Sequence, residues 1–158
     1  MKKYEYRFES LLNIRGIQEE EAERNFREAV RIYAECVQRL DKLRMEMASL
    51  LEELGEQRKA SADLRIQRLF TDYIKHLNGR IDTETKIVEE ANEKVEERRQ
   101  ELVEAIQERK MIENMRTKDY NRYLVELRRW EQNILDDLTI LRFGNENAES
   151  TRLSGHQT

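Results

Sequence analysis

No proline interrupts the 158-residue chain, and only five glycines do. Proline breaks or kinks helices by removing an N–H and clashing with the preceding turn, so its absence leaves long helices free to run. Cysteine is nearly missing too. Cys36 has no second thiol with which to close a disulfide inside the chain, and the two histidines, His76 and His156, lie far apart in sequence. A Cys–His or Ser–His arrangement is therefore not expected. The Glu-x-x-His spacing that helical bundles use for di-iron sites does not occur, since Tyr73 stands three residues before His76. Scattered glycines supply no phosphate-cradling loop. The reading is of a non-enzyme with no catalytic, metal or cofactor site.

Long apolar runs are absent as well. None approaches the roughly 18 residues that span a bilayer, and Met1-Lys2-Lys3 leads into Tyr4-Glu5-Tyr6-Arg7-Phe8 rather than an apolar signal region. A soluble, cytoplasmic protein without a transmembrane segment is expected. The net charge of −4 gives no field for nucleic acid, and no basic stripe with interleaved aromatics replaces it. No nucleic-acid partner is expected.

What the chain has in quantity is charge: 39% of residues are charged against 38% hydrophobic, a balance that suits long solvent-washed helices. In 22–54 the apolar residues fall at Ala22, Phe26, Ala29, Tyr33, Cys36, Leu40, Leu43, Met47, Leu50 and Leu54. Their steps alternate four and three, a mean period of 3.5, which makes a narrow seam to be buried against another helix. Cys36 occupies a seam position and reads as a small buried hydrophobe. Carboxylates such as Glu89, Glu90, Glu93, Glu96 and Glu97 alternate with Lys94, Arg98 and Arg99 at helical spacing, as on a solvated face.

Helix is predicted to begin near Phe8. The seam slips by one residue after Leu54, over Gly55 and the polar 56–61, and Ser61 is a candidate cap for a new start. Asn78-Gly79 forms a second punctuation. From 81 to 143 the text is again helical, with a patchier line through Ile81, Thr85, Val88, Asn92, Val95, Arg99, Leu102, Ile106, Arg109 and Glu113. It recovers through Tyr120, Tyr123, Leu127, Trp130, Ile134 and Leu141.

Two such helices form an antiparallel hairpin. A turn at 55–61 would leave 120–141 unpaired as an exposed apolar patch. A turn at 76–80 would set Phe8 and Leu12 opposite 138–141. The second arrangement is preferred, giving an all-α, long antiparallel two-helix coiled-coil hairpin with a break in the first arm near 55–61. It covers 1–143 as one domain, with helix ending at Gly144 and 144–158 a disordered tail. Two places suit partners: the apex with Phe70, Tyr73, Ile74 and Leu77, and the terminal end, where Tyr4, Tyr6, Phe8, Tyr120, Tyr123, Trp130 and Phe143 should gather. Tyr4 and Tyr6, outside the periodic region, are candidates for contact with another molecule.

The opening Tyr6-Arg7-Phe8-Glu9-Ser10-Leu11-Leu12-Asn13-Ile14-Arg15 resembles the start of the flagellar export protein FliJ family. Tyr73-Ile74-Lys75-His76-Leu77 resembles its mid-chain aromatic-Ile-x-x-Leu, and Asp136-Asp137-Leu138 through Arg142-Phe143 its acidic-leucine close. The resemblance spans 4–143. It implies a cytoplasmic stalk of the flagellar type III export apparatus, peripheral at the cytoplasmic face of the inner membrane. Such a stalk links the export ATPase ring to the membrane export gate protein, promotes ring assembly and handles export chaperones. By the same resemblance Tyr73 and Leu77 match gate-binding positions, and Phe8, Leu11, Leu12, Arg15, Leu138, Arg142 and Phe143 belong to the ends that engage the ATPase ring. The equivalent stalk of a virulence secretion system and a purely structural coiled-coil dimer or spacer are the alternatives.

Overall fold

The computed structural model describes the backbone of residues 3–60 and 63–154 and side chains through 142. Two helices account for nearly all of it: α1, Glu9–Ala60, and α2, Leu64–Ser154. They pair antiparallel as an all-α hairpin. The chain divides into two compact units, Arg15–Glu108 and the terminal pair Met1–Ile14 with Arg109–Thr158.

In Arg15–Glu108 the seam is realised in full. Ala29, Cys36, Leu40, Leu43 and Leu54 are buried, and Ala22, Phe26, Tyr33, Met47 and Leu50 are half-buried, whereas Val30, Ile32, Met45 and Leu51 off the seam are exposed. The facing line on α2 differs from the sequence reading. Val88, Val95, Leu102 and Arg109 face inward, but the positions between them are Ala91, Arg98, Ala105 and Ile112 rather than Asn92, Arg99, Ile106 and Glu113 alone; Asn92, Arg99 and Glu113 are exposed and Ile106 is half-buried. The same heptad reads either way in sequence, and packing selects the flank that buries alanine and isoleucine in place of asparagine and glutamate.

The turn is where the structure departs most from expectation. The helices are separated only by 61–63, and α2 runs unbroken through Asn78 and Gly79, with no residue at positive φ among those described. Ion pairs from Arg39 to Glu84 at 2.6 Å and from Arg15 to Glu108 at 2.5 Å, with the Tyr73 contact to Glu46, straddle the same short connection. The interruption at 55–61 is thus the approach to the hairpin turn and not a break within the first arm, and 76–80 lies inside a helix. A helical glycine costs about 1 kcal/mol against alanine, which tertiary packing here absorbs. Asp63 starts α2: its side chain accepts a hydrogen bond from the Arg65 N–H at 2.9 Å and its carbonyl one from Gln67 at 3.2 Å. Ser61, the expected cap, lies outside the described residues.

The second helix also continues past Gly144 to Ser154 instead of stopping there. With no proline to forbid it, the glycine penalty alone does not end the helix.

Lys42 and Arg80 line one groove between the arms. Nitroxide labels replacing them are expected within about 10–20 Å of each other in dipolar spectroscopy, since packed helix axes lie about 8–10 Å apart. A turn at 76–80 would hold them about 55 Å apart, at 1.5 Å of rise per residue.

Candidate functional site

Within Arg15–Glu108, Tyr73 and Leu77 sit one helical turn apart on α2 and play opposite physical parts. Leu77 is the most completely buried side chain described, with no exposed surface, whereas Tyr73 is 42% exposed. The Tyr73 hydroxyl donates to Glu46 Oε1 across the hairpin, and its ring stacks on His76 at 6.5 Å between centroids. The hydrogen bond to the Glu46 carboxylate, followed by that carboxylate's charge, holds the phenol above its ordinary value, while Arg80 opposes the shift. Of the pair matched by resemblance, Tyr73 meets solvent and Leu77 is core.

Beside them lies an open groove lined by Arg39, Lys42 and Glu46 from α1 and by Lys75, His76 and Arg80 from α2. Glu84 is held by Arg39, and the Arg39 guanidinium also donates to Cys36 Sγ at 3.1 Å. Basic groups outnumber acidic ones on these walls. The apolar turn region offers more: Leu64, Leu69 and Ile66 are exposed at the start of α2, as are Arg65 and Arg68.

In the terminal unit the aromatic residues do gather, though not all of them. Tyr4 packs on Tyr120 at 5.0 Å, edge to face, and on Tyr123 at 5.3 Å. Its hydroxyl reaches Asp119 Oδ2 at 3.3 Å and the Arg116 carbonyl at 3.4 Å, donating to one at a time. Burial, reinforced by the Asp119 charge, raises the Tyr4 phenol above its ordinary value. Tyr6 donates to the Ile112 carbonyl at 3.2 Å and packs on Phe8 at 5.9 Å. Tyr4 and Tyr6 are therefore spent on α2 of their own chain, contrary to the expectation that they contact another molecule. The reason is the register: with α1 ending at Ala60 and α2 beginning at Leu64, the N-terminal segment lies against 112–123.

That register leaves Leu138 far along α2 from the partners of Phe8, so the two groups expected to face each other do not. Phe8 is 40% exposed; Leu11 and Leu12 are half-buried. Glu9 pairs with Arg116 at 3.4 Å. Arg15, in the other unit, is committed to Glu108. From 128 to 142 every residue is exposed, including Trp130, Ile134, Leu135, Leu138, Ile140, Leu141 and Arg142. The side chain of Phe143 lies outside the described residues. This unpaired apolar stretch is the feature that a turn at 76–80 would have removed.

The remaining carboxylates form a solvated face. Lys94 pairs with Glu97 at 2.7 Å, Arg98 with Glu101 at 2.7 Å and Arg31 with Glu35 at 2.5 Å, each along one helix. Among the described residues no group of three or more His, Cys, Asp or Glu could hold a metal, and no helix is long and apolar enough to cross a membrane.

A family model described as flagellar FliJ protein matches residues 3–148, nearly the whole of both helices. The chain belongs to the flagellar FliJ family. Membership ties it to flagellar protein export as a non-catalytic component. No curated protein and no solved structure gives a significant match.

Leu77→Ala is expected to cost about 2–5 kcal/mol by emptying a packed site, read as a lower urea midpoint at unchanged slope. Tyr73→Phe, which removes one exposed hydroxyl, should cost about 1 kcal/mol or less. Equal losses would contradict the division of the pair into core and surface.

Proposed function

We propose that this protein is a stalk of the flagellar export apparatus, linking the export ATPase ring to the membrane export gate, promoting ring assembly and escorting export chaperones. The observation that supports this most directly is the exposed stretch 128–142, rich in large apolar residues and left without a partner helix among the described residues, on a chain of this family. Monomeric proteins rarely keep contiguous exposed apolar patches beyond a few hundred Å² unless something docks there. Leu138 and Arg142 on this stretch, with Phe143 next in sequence, would meet the ATPase ring, and the exposed Phe8 with the half-buried Leu11 and Leu12 would form a separate contact. Arg15 is tied to Glu108 and would serve the ring only by holding its own arm in register.

At the gate, Tyr73 would supply the contact, and Leu77 would hold α2 beneath it. The basic walls of the neighbouring groove keep that surface accessible to acidic or polar partner groups. A hairpin with its polar side chains spent on solvated pairs does this work by position rather than by chemistry, at the cytoplasmic face of the inner membrane.

Purified protein should raise the activity or oligomerisation of its cognate export ATPase, and Leu138→Asp should abolish that effect at unchanged helicity. Tyr73→Ala should abolish gate binding and leave ATPase stimulation intact. No stimulation, together with normal motility in a deletion strain, would sink the proposal.

A further inference from the structure

The groove between the two arms of Arg15–Glu108 concentrates positive charge in a chain whose net charge is −4. Two contacts fix the level of its walls. Arg39 pairs with Glu84 at 2.6 Å at one end, and Glu46 accepts the Tyr73 hydroxyl at the other. Lys42 comes three residues after Arg39 on α1, and Arg80 four residues before Glu84 on α2. Antiparallel pairing therefore sets Lys42 and Arg80 at one level on opposite walls. Lys75 stands about 7.5 Å further along, at 1.5 Å of rise per residue.

These three cations are exposed and form no ion pair among the described residues, whereas both carboxylates on the walls are engaged, Glu84 by Arg39 and Glu46 by Tyr73. Even with Glu46 and Glu84 counted, the positive charges of Arg39, Lys42, Lys75 and Arg80 outnumber the negative ones two to one. Gly79 lies on the same wall as Arg80, and nothing stands within 4 Å of the place a Cβ would take, so its missing side chain keeps that wall low. The groove holds about 700 Å³, within the roughly 300–1,000 Å³ of ligand clefts.

We infer that this groove binds an oligophosphate group, a chain of two or three linked phosphates, with one phosphate between Lys42 and Arg80 and the next toward Lys75. A single carboxylate would answer only one of the three cations. Linked phosphates gather several negative charges on acceptor oxygens along a short line, as the cations are arranged. The Arg80 guanidinium presents a planar fork that matches phosphate oxygens, and the lysines act as flexible point charges. Inorganic oligophosphate and the phosphate tail of a nucleotide share this chemistry. A second basic surface, with Lys118, Arg122 and Arg129, is lined by α2 alone and has no opposing wall. The inference stands independently of the stalk reading, since the chain alone tests it.

Titration calorimetry of the full chain with inorganic triphosphate, at about 0.15 M salt to screen diffuse attraction, should show a single saturable site. Lys42→Gln and Arg80→Gln should each weaken binding by about three- to tenfold, as for one charge-assisted hydrogen bond at an open site. Glu46→Gln should tighten it by removing repulsion from the wall, a gain that a merely structural role would not give. Lys118→Gln with Arg122→Gln should leave it unchanged, and circular dichroism should report the same helicity in every variant. Equal affinity for a nucleoside triphosphate supports recognition of the phosphate chain alone, and tighter binding supports a nucleotide as its source. Absence of saturable binding by either anion, or equal weakening by the groove variants and by the Lys118 and Arg122 pair, would overturn the inference.

Discussion

The burial of the 22–54 seam against the helix that comes immediately after it in sequence is the constraint from which the other features descend. Ten apolar side chains on a period of 3.5 need a facing line of matching length, and α2, which begins at Leu64 only four positions after α1 ends at Ala60, offers one. Once that register is set, Tyr73 meets Glu46, Arg39 meets Glu84 and Arg15 meets Glu108. The exposed ion pairs add little energy individually, on the order of 0–1 kcal/mol each. The seam carries the pairing, and the charges report its alignment.

A second consequence is inequality. The second helix has 91 residues and the first 52, so pairing outward from a common turn exhausts the shorter one. Tyr4 and Tyr6 mark where it ends, clasping 112–123 through ring contacts and phenolic hydrogen bonds. Beyond that clasp α2 keeps an apolar stretch, 128–142, that no described residue of its own chain covers. A surface of that kind needs an occupant, and membership of the flagellar FliJ family supplies a setting in which protein partners are expected.

Much of this was legible in the sequence. The seam, its ten members, the all-α class, the solvated character of Glu96 and Glu97 and the two-helix layout follow from spacing and from the absence of proline. The turn did not, because a turn at 76–80 is favoured only for a chain that hides all its own apolar residues, and a protein that meets others need not. Asn78-Gly79 looked like punctuation, yet helical glycine costs only about 1 kcal/mol, less than a packed leucine returns, and Leu77 beside it is fully buried. For the same reason Leu77 was legible as apolar but not as core, since one residue in a short motif does not reveal which side of the helix packs. Tyr4 and Tyr6 were misread because their partners depend on the register.

Everything beyond the seam turns on whether α2 outruns α1 and leaves 128–142 uncovered in the free chain, and amide hydrogen exchange on a dilute sample measures this. Exchange should be slow across 29–54 and 77–112 and fast across 128–142. Exchange across 128–142 as slow as in 77–112, in the dilute chain alone, would contradict an uncovered helix end.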